Sequence, residues 1–265
     1  MMTLPRRHYS EMTAGELSAA RENGWIAVLP LGATEQHGPH LPFETDTIIA
    51  EGVAARVITR ARPALPFTVL PAEPVGYSIE HMYVPGTKTL AFDEAVTRWI
   101  GIGEALHTQG FRKFVMLNAH GGNSPLMTVV ATELRVRLAM LAVATSWTRF
   151  LPAGMVSADE KAYGIHGGEI ETAVMLALRP DLVTMENASD FPSAQEHHTR
   201  DFRRLRAYGP HAYGWKMSDL NAQGAAGNAT AATAELGNRL LDTAADGFIE
   251  LLEDVQRFEP GWLET

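Results

Sequence analysis

The chain contains no cysteine, which excludes disulfides, thiolate zinc sites and cysteine nucleophiles together. Any metal must therefore be held by nitrogen and oxygen. Positive charge is also scarce: 22 Lys and Arg against 31 Asp and Glu leave a formal charge of −9. Nucleic acid and anionic membranes both reward clustered cations, so neither is an expected partner. The short run from Arg200 to Arg206 is too small to change that. No stretch is apolar enough to span a bilayer, and Met1 to Ser10 lack the apolar core of a signal peptide. The expected compartment is the cytoplasm. No linker, repeat or low-complexity block divides the sequence, so residues 1–265 read as one domain. With 46% hydrophobic and 20% charged residues, the composition is that of a soluble globular protein with a sizeable core.

What the sequence has in concentration is a run of acids and imidazoles between Leu29 and Asp46. It begins as an apolar strand, Trp25 to Leu29, and passes at Gly32 into a segment where Pro39 and Pro42 interrupt any regular ladder. Function concentrates at such strand exits in α/β folds. On extended backbone, Glu35 and His37 share a face, because side chains two apart point the same way. Asp46 stands just before a helical pattern carried by Ile48, Ile49, Val53, Val57 and Ile58. It reads either as a ligand or as a helix cap.

Downstream, Phe67 to Leu70 reads as a second strand ending at Pro71. The loop from Gly76 to Thr87 is polar and aromatic together. It has the character of a substrate-contacting loop, with Tyr77, Ser78, Glu80 and His81 as candidate contacts, or of a solvated turn with aromatic anchors. Asp93 to Gln109 forms a helical pattern stopped by Gly110. Lys113 to Leu117 is a nearly continuous apolar run, suited to the centre of a parallel sheet. It gives way to Asn118-Ala119-His120-Gly121-Gly122-Asn123, whose glycines admit close backbone approach. Gly121, Gly122 and Asn123 join the candidate substrate contacts there. Ser124-Pro125 opens a helix through Leu138, and Met140 to Ala144 is a fourth strand. Strand and helix alternate, which predicts an α/β fold with parallel crossovers.

After a long connection, Trp147 to Tyr163, the chain reaches His166-Gly167-Gly168-Glu169-Ile170-Glu171-Thr172. A helix is expected from about Glu169 to Leu178, stopped at Arg179-Pro180. Glu169 and Glu171 then lie about 200° apart, so only one of them can face a given metal. Residues 186–215 show no clear period and either cover the site or make a subunit contact. Gly224 to Asn228 lacks the lysine and spacing of a phosphate loop and reads as a turn. From Ala229 onward a helical pattern advances through Leu236, Leu240, Ala244, Phe248, Leu251 and Val255.

The three clusters together resemble the creatininase (creatinine amidohydrolase) family. The resemblance is carried by Gly32, Glu35-Gln36-His37-Gly38-Pro39-His40-Leu41-Pro42 and Thr45-Asp46, then by Asn118 to Asn123, then by His166 to Thr172. It runs in order from about residue 25 to 185, with weaker agreement at Gly86-Thr87 and Gly224 to Gly227. It implies a three-layer α/β/α sandwich with a mostly parallel sheet, and a centre of two divalent metal ions. Glu35, His37, Asp46 and His120 match the family's metal ligands, with Asp46 in the place of the bridging carboxylate. His166 matches its catalytic histidine. Gly122 departs from creatininase proper, which carries a glutamate ligand there. The wider branch of the family replaces it with the glutamate before threonine, here Glu171.

The activity so implied is hydrolysis of a carbon–nitrogen bond in a small amide, cyclic in the leading reading. A linear amide or formamide, as in a deformylase, is the second reading. A metal-stabilised scaffold without catalysis is the third, and a free histidine beside the metals argues against it. Zn²⁺, Mn²⁺ and Fe²⁺ all suit carboxylate and imidazole ligands. By the same resemblance the chain is expected to assemble as a homohexamer, with 186–215 as a candidate interface.

Overall fold

The computed structural model describes residues 5–259. The strands β1 (Ile26–Leu31), β2 (Phe67–Val69), β3 (Lys113–Asn118) and β4 (Leu141–Ser146) form a sheet in the order β2-β1-β3-β4. All three pairings are parallel, with Ile26 opposite both Phe67 and Lys113, and Lys113 opposite Leu141. Side chains alternate along each strand, so the sheet has two apolar faces. Ile26, Val28, Val115 and Leu117 pack on one side against α2 (Thr45–Arg60), α6 (Glu169–Leu178) and α9 (Ala234–Arg257). Ala27, Leu29, Phe114 and Met116 pack on the other against α1 (Ala14–Glu22), α3 (Phe92–Thr108) and α4 (Ser124–Leu138). This is the three-layer α/β/α architecture. Burying each large aliphatic or aromatic side chain stabilises it by roughly 1.5–3 kcal/mol.

The first strand, expected over Trp25 to Leu29, runs on to Leu31. Pro30 stays in register opposite Leu117 in β3. Its carbonyl, accepting from Glu73 N at 3.0 Å, faces the β2 side, and its nitrogen faces the same way. β2 has already ended at Val69 there, so the missing N–H breaks no bond to β3. At the other end of the chain, Ala229–Ala231 is a short 3₁₀ turn and α9 starts only at Ala234, where Thr233 caps it by accepting from Leu236 N at 3.1 Å.

The remaining elements are short: α5 (Ala158–Tyr163), β5 (Asp190–Phe191), α7 (Gln195–Asp201), α8 (Met217–Leu220) and β6 (Gly227–Asn228). β5 pairs antiparallel with β6. The segment read as a plain turn therefore ends in a strand, and Ala226 bridges His166 through a pair of backbone bonds at 2.7 and 3.3 Å. The aperiodic stretch 186–215 is anchored to the first motif: Asn187 Nδ2 donates to Pro39 O, and Phe191 stacks on His40 with ring centroids 5.4 Å apart. Among the described residues no helix is long and apolar enough to cross a membrane.

Candidate metal centre

The site forms where β1 and β3 deliver their last residues at the carboxyl edge of the sheet, the usual place for chemistry in such folds. β1 leaves the sheet at Gly32 directly against the first turn of α2. A Cβ there would lie 2.6 Å from Thr47 Cα, so only glycine permits this approach. The tight exit sets Glu35 and His37 beside Asp46, in the first turn of α2. Asp46 does not cap that helix: the N-cap is Glu44, and no side chain bonds the turn.

The ring orientations follow from hydrogen bonds behind each imidazole. His37 Nδ1 donates to Glu35 O at 3.0 Å, which leaves Nε2 facing Asp46 Oδ1 at 3.2 Å. His120 Nε2 donates to Tyr77 O at 2.8 Å, which turns Nδ1 toward Glu35 Oε1 at 3.2 Å and Asp46 Oδ2 at 3.4 Å. The two oxygens of Asp46 thus face two different histidines. Glu171 Oε2 accepts from Gly167 N at 2.6 Å and lies 3.9 Å from His37 Nε2. Three groups of mutually close donors result among the described residues, Glu35–Asp46–His120, His37–His166–Glu171 and Glu35–His81–His166. Glu169 belongs to none of them; its backbone N–H donates to the buried Glu160 carboxylate at 2.7 Å. His166 stacks on His37 with centroids 4.1 Å apart, and its Nδ1 is 3.6 Å from Glu35 Oε1.

The electrostatics are those of a site short of positive charge. Burial opposes a charged His37, yet Asp46, Glu171 and Glu35 outweigh it and raise its pKa to about 9. Burial likewise opposes charge on His120, and Glu35 and Asp46 overcome it. Burial, reinforced by the Asp46 and Glu35 charges, pushes Glu171 up to about 7. Burial also works against ionised Glu35 and Asp46, but the neighbouring imidazolium groups hold both below the usual carboxylate range. Both Glu35 oxygens and Asp46 Oδ2 are buried without a hydrogen-bond partner. Unpaired buried carboxylate oxygens are costly, and divalent cations are the natural complement to this donor set.

The other candidate positions sit around this core. Ser78 Oγ lies 3.3 Å from His120 Nε2 and Glu80 Oε1 lies 3.8 Å from it, so this part of the loop clasps the outer edge of that ring. His81 Nε2 reaches Glu35 Oε1 at 3.3 Å. Gly122 has no room for a side chain, since a Cβ would meet Tyr77 O at 2.3 Å and Glu80 Oε1 at 2.8 Å. Gly121 is open. Asn123 differs from the expectation of a substrate contact: its amide bonds Gly32 O, Asn118 Oδ1 and Tyr77 N, which ties three loops together and leaves it buried. His40 shares the first motif with His37 but points away, to Thr172 Oγ1 at 2.9 Å.

Sequence reasoning missed three contributors. A cavity of about 290 Å³ opens beside the centre, lined by His120, Glu171, Asn118, Ser146, Trp147 and Arg149. The last three lie at and just beyond the end of β4, a strand exit equivalent to those of β1 and β3, which was the available signal. Glu160, in α5, is buried against the start of α6 and also accepts from Asn228 N at 2.9 Å. A larger cavity of about 500 Å³ lies beyond Glu160, and none of the candidate ligands lines it. Gln36, between two candidate ligands, carried no signal of its own.

The profile of the creatinine amidohydrolase (creatininase) family matches residues 10–252, and the chain belongs to that family of metal-dependent amidohydrolases, hydrolases of carbon–nitrogen bonds. Its relatives divide by substrate. The mycofactocin precursor peptide peptidase of Mycolicibacterium smegmatis is 29% identical over 240 residues, covering 89% of this chain and 86% of that protein. The 2-amino-5-formylamino-6-ribosylaminopyrimidin-4(3H)-one 5'-monophosphate deformylase of Methanobrevibacter smithii is 27% identical over 189 residues, 70% of this chain and 74% of that one. A crystal structure of creatinine amidohydrolase superposes with a TM-score of 0.77 at 26% identity, covering 96% of this chain and 99% of the other. Further creatininase structures of the same shape are described as a manganese form and a Zn-Zn type.

Proposed function

We propose that this protein hydrolyses the C–N bond of a small cyclic amide at a centre of two divalent ions, within a single metallohydrolase domain. The observation that carries the reading is Asp46, whose two buried oxygens face His37 at 3.2 Å and His120 at 3.4 Å, from opposite halves of the ligand set. Glu35, Asp46 and His120 would hold one ion, and His37, Asp46 and Glu171 the other. Zn²⁺, Mn²⁺ and Fe²⁺ fit these donors. Such ions, when bound, polarise the substrate carbonyl and lower the pKa of the attacking water.

The proton is handled by His166. Its Nε2–H is engaged by Gln36 O at 2.6 Å, so Nδ1 is the free atom. Burial, with His37 and His81 adding repulsion, holds its pKa well below the ordinary value and keeps the ring neutral. A neutral ring can take the proton from the attacking water and return it to the leaving nitrogen, a contribution of roughly 10²–10⁴ in rate. The adjoining cavity, about 290 Å³, is at the small end for a ligand site and suits a compact amide.

A second reading is a linear amide, a formamide or the end of a peptide. It is favoured by the similarity to a peptide peptidase across 89% of the chain. Purified protein loaded with Mn²⁺ or Zn²⁺ and offered lactams, cyclic ureides, formamides and short peptides separates the two. Turnover of ring substrates alone supports the first, and turnover of open-chain amides alone supports the second. Full activity after exhaustive chelation would sink both. On the same reading the protein works in the cytoplasm as a homohexamer.

A further inference from the structure

Gln36 sits between two candidate ligands, yet its side chain faces away from them, with both amide hydrogens and the amide oxygen engaged. Its Oε1 accepts from Gly38 N at 2.9 Å. Its Nε2 donates to Gly224 O at 2.8 Å. These two backbone partners fix which end of the amide is oxygen and which is nitrogen, because a backbone N–H only donates and a carbonyl only accepts. The remaining amide hydrogen points at His81 Nδ1, 2.9 Å away. That nitrogen must therefore be an acceptor, and the neutral ring carries its proton on Nε2. Nε2 is the atom that enters the site, 3.3 Å from Glu35 Oε1. The backbone carbonyl of the same Gln36 does the reverse to His166, accepting from its Nε2 and leaving Nδ1 as a lone pair.

We propose that Gln36 is a positioning residue that locks His81 and His166 into opposite orientations, so that His81 presents an N–H donor to the site and is not a metal ligand. His81, His166 and Glu35 have donor atoms close enough to suggest a third ion; the hydrogen-bond directions exclude it. An N–H aimed into a buried site from a fixed ring stabilises negative charge developing on a substrate oxygen. His81 has the rigidity this requires, since it is buried against His166 with ring centroids 4.4 Å apart and its back is held by Gln36. The role in turnover rests on the amidohydrolase reading above, whereas the proton positions stand independently of it.

The test is long-range ¹H–¹⁵N correlation spectroscopy on protein carrying ¹⁵N-labelled histidine, metal-free and loaded with Zn²⁺. The His81 signals are assigned by their loss in His81→Asn. The expected result is a lone-pair shift at His81 Nδ1 with an N–H shift at Nε2, and the same Nε2–H pattern for His166 with its Nδ1 as the inward atom. Gln36→Glu, which has no hydrogen to give Nδ1, should change the His81 pattern. Zinc content gives a second readout: His81→Asn should retain as much zinc as the parent. A protonated His81 Nδ1 in the parent, or loss of zinc in His81→Asn, overturns the proposal. Once a substrate is in hand, His81→Ala should lower kcat by roughly 10²–10³ with little change in KM. A parent protein that binds no zinc would refute the two-metal reading and leave the spectroscopic result to decide the proton positions.

Discussion

Glu169 and Glu171 offer the sharpest test of the site, because they are two residues apart in the first turn of one helix and differ in what they face. Glu171 Oε2 is 3.9 Å from His37 Nε2 and holds the Gly167 N–H at 2.6 Å. Glu169 belongs to no candidate ligand group among the described residues. The informative variant is Glu171→Gln, since an amide oxygen can still accept from Gly167 and keep the loop, while the charge is lost. Altering groups that only orient a ligand weakens metal binding about 10–100-fold. Losing a direct anionic ligand should cost at least that, or ~1.4–2.8 kcal/mol. The ion shared by His37, Asp46 and Glu171 should then dissociate in a metal-buffered dialysis that leaves the other in place. Elemental analysis should fall from two ions per chain toward one, and turnover should fall with it. Glu169→Gln should keep both ions and shift stability by no more than ~0.5 kcal/mol, the usual range for a substitution away from packing and networks. If Glu169→Gln empties the site while Glu171→Gln leaves it filled, the assignment of Glu171 is wrong.

Asp46→Ala should remove more metal than loss of any other single ligand, because both halves of the set depend on it; elemental analysis side by side with Glu35→Ala checks this. His166→Ala should retain both ions and lower kcat by roughly 10²–10⁴, measured on whichever amide the panel identifies. Glu160→Gln should strand at least one buried backbone N–H at Glu169 or Asn228, costing ~1–3 kcal/mol. That lowers Tm by ~2–12 °C for a chain of this size, and calorimetry would detect it. Sedimentation at micromolar concentration should show a hexamer; monomer alone would refute the assembly drawn from the family resemblance.

How far the sequence could be read depended on whether a residue's role is local. The parallel sheet was legible because each strand is an apolar run bounded by turn residues, and the helices on its two faces carry a helical period. Strand exits pointed to Glu35, His37 and His120 singly; it was the resemblance to the creatininase family that grouped them with Asp46, which local pattern alone left as a ligand or a cap. The strand expected to end at Leu29 runs on to Leu31 because Pro30 faces the side where β2 has already ended at Val69, so its missing N–H breaks no ladder bond. Residues 186–215 lacked a period because they are held by contacts to His40, Pro39 and β6 instead of by one apolar face.

Gln36 shows where local reading ends. Nothing in Glu35-Gln36-His37 distinguishes its amide from a solvated one, since the partners that orient it, Gly224 and His81, lie 188 and 45 residues away in the chain. Yet the chemistry turns on that orientation. An imidazole is a ligand, a base or a donor according to which nitrogen holds the proton, and the proton is set by the group behind the ring. His37, His120 and His166 each spend one N–H on a backbone carbonyl and turn the other nitrogen inward; His81 alone of the four receives a hydrogen from behind and turns its N–H inward. Residue identity places four histidines at one point, and the hydrogen bonds behind them assign the donor.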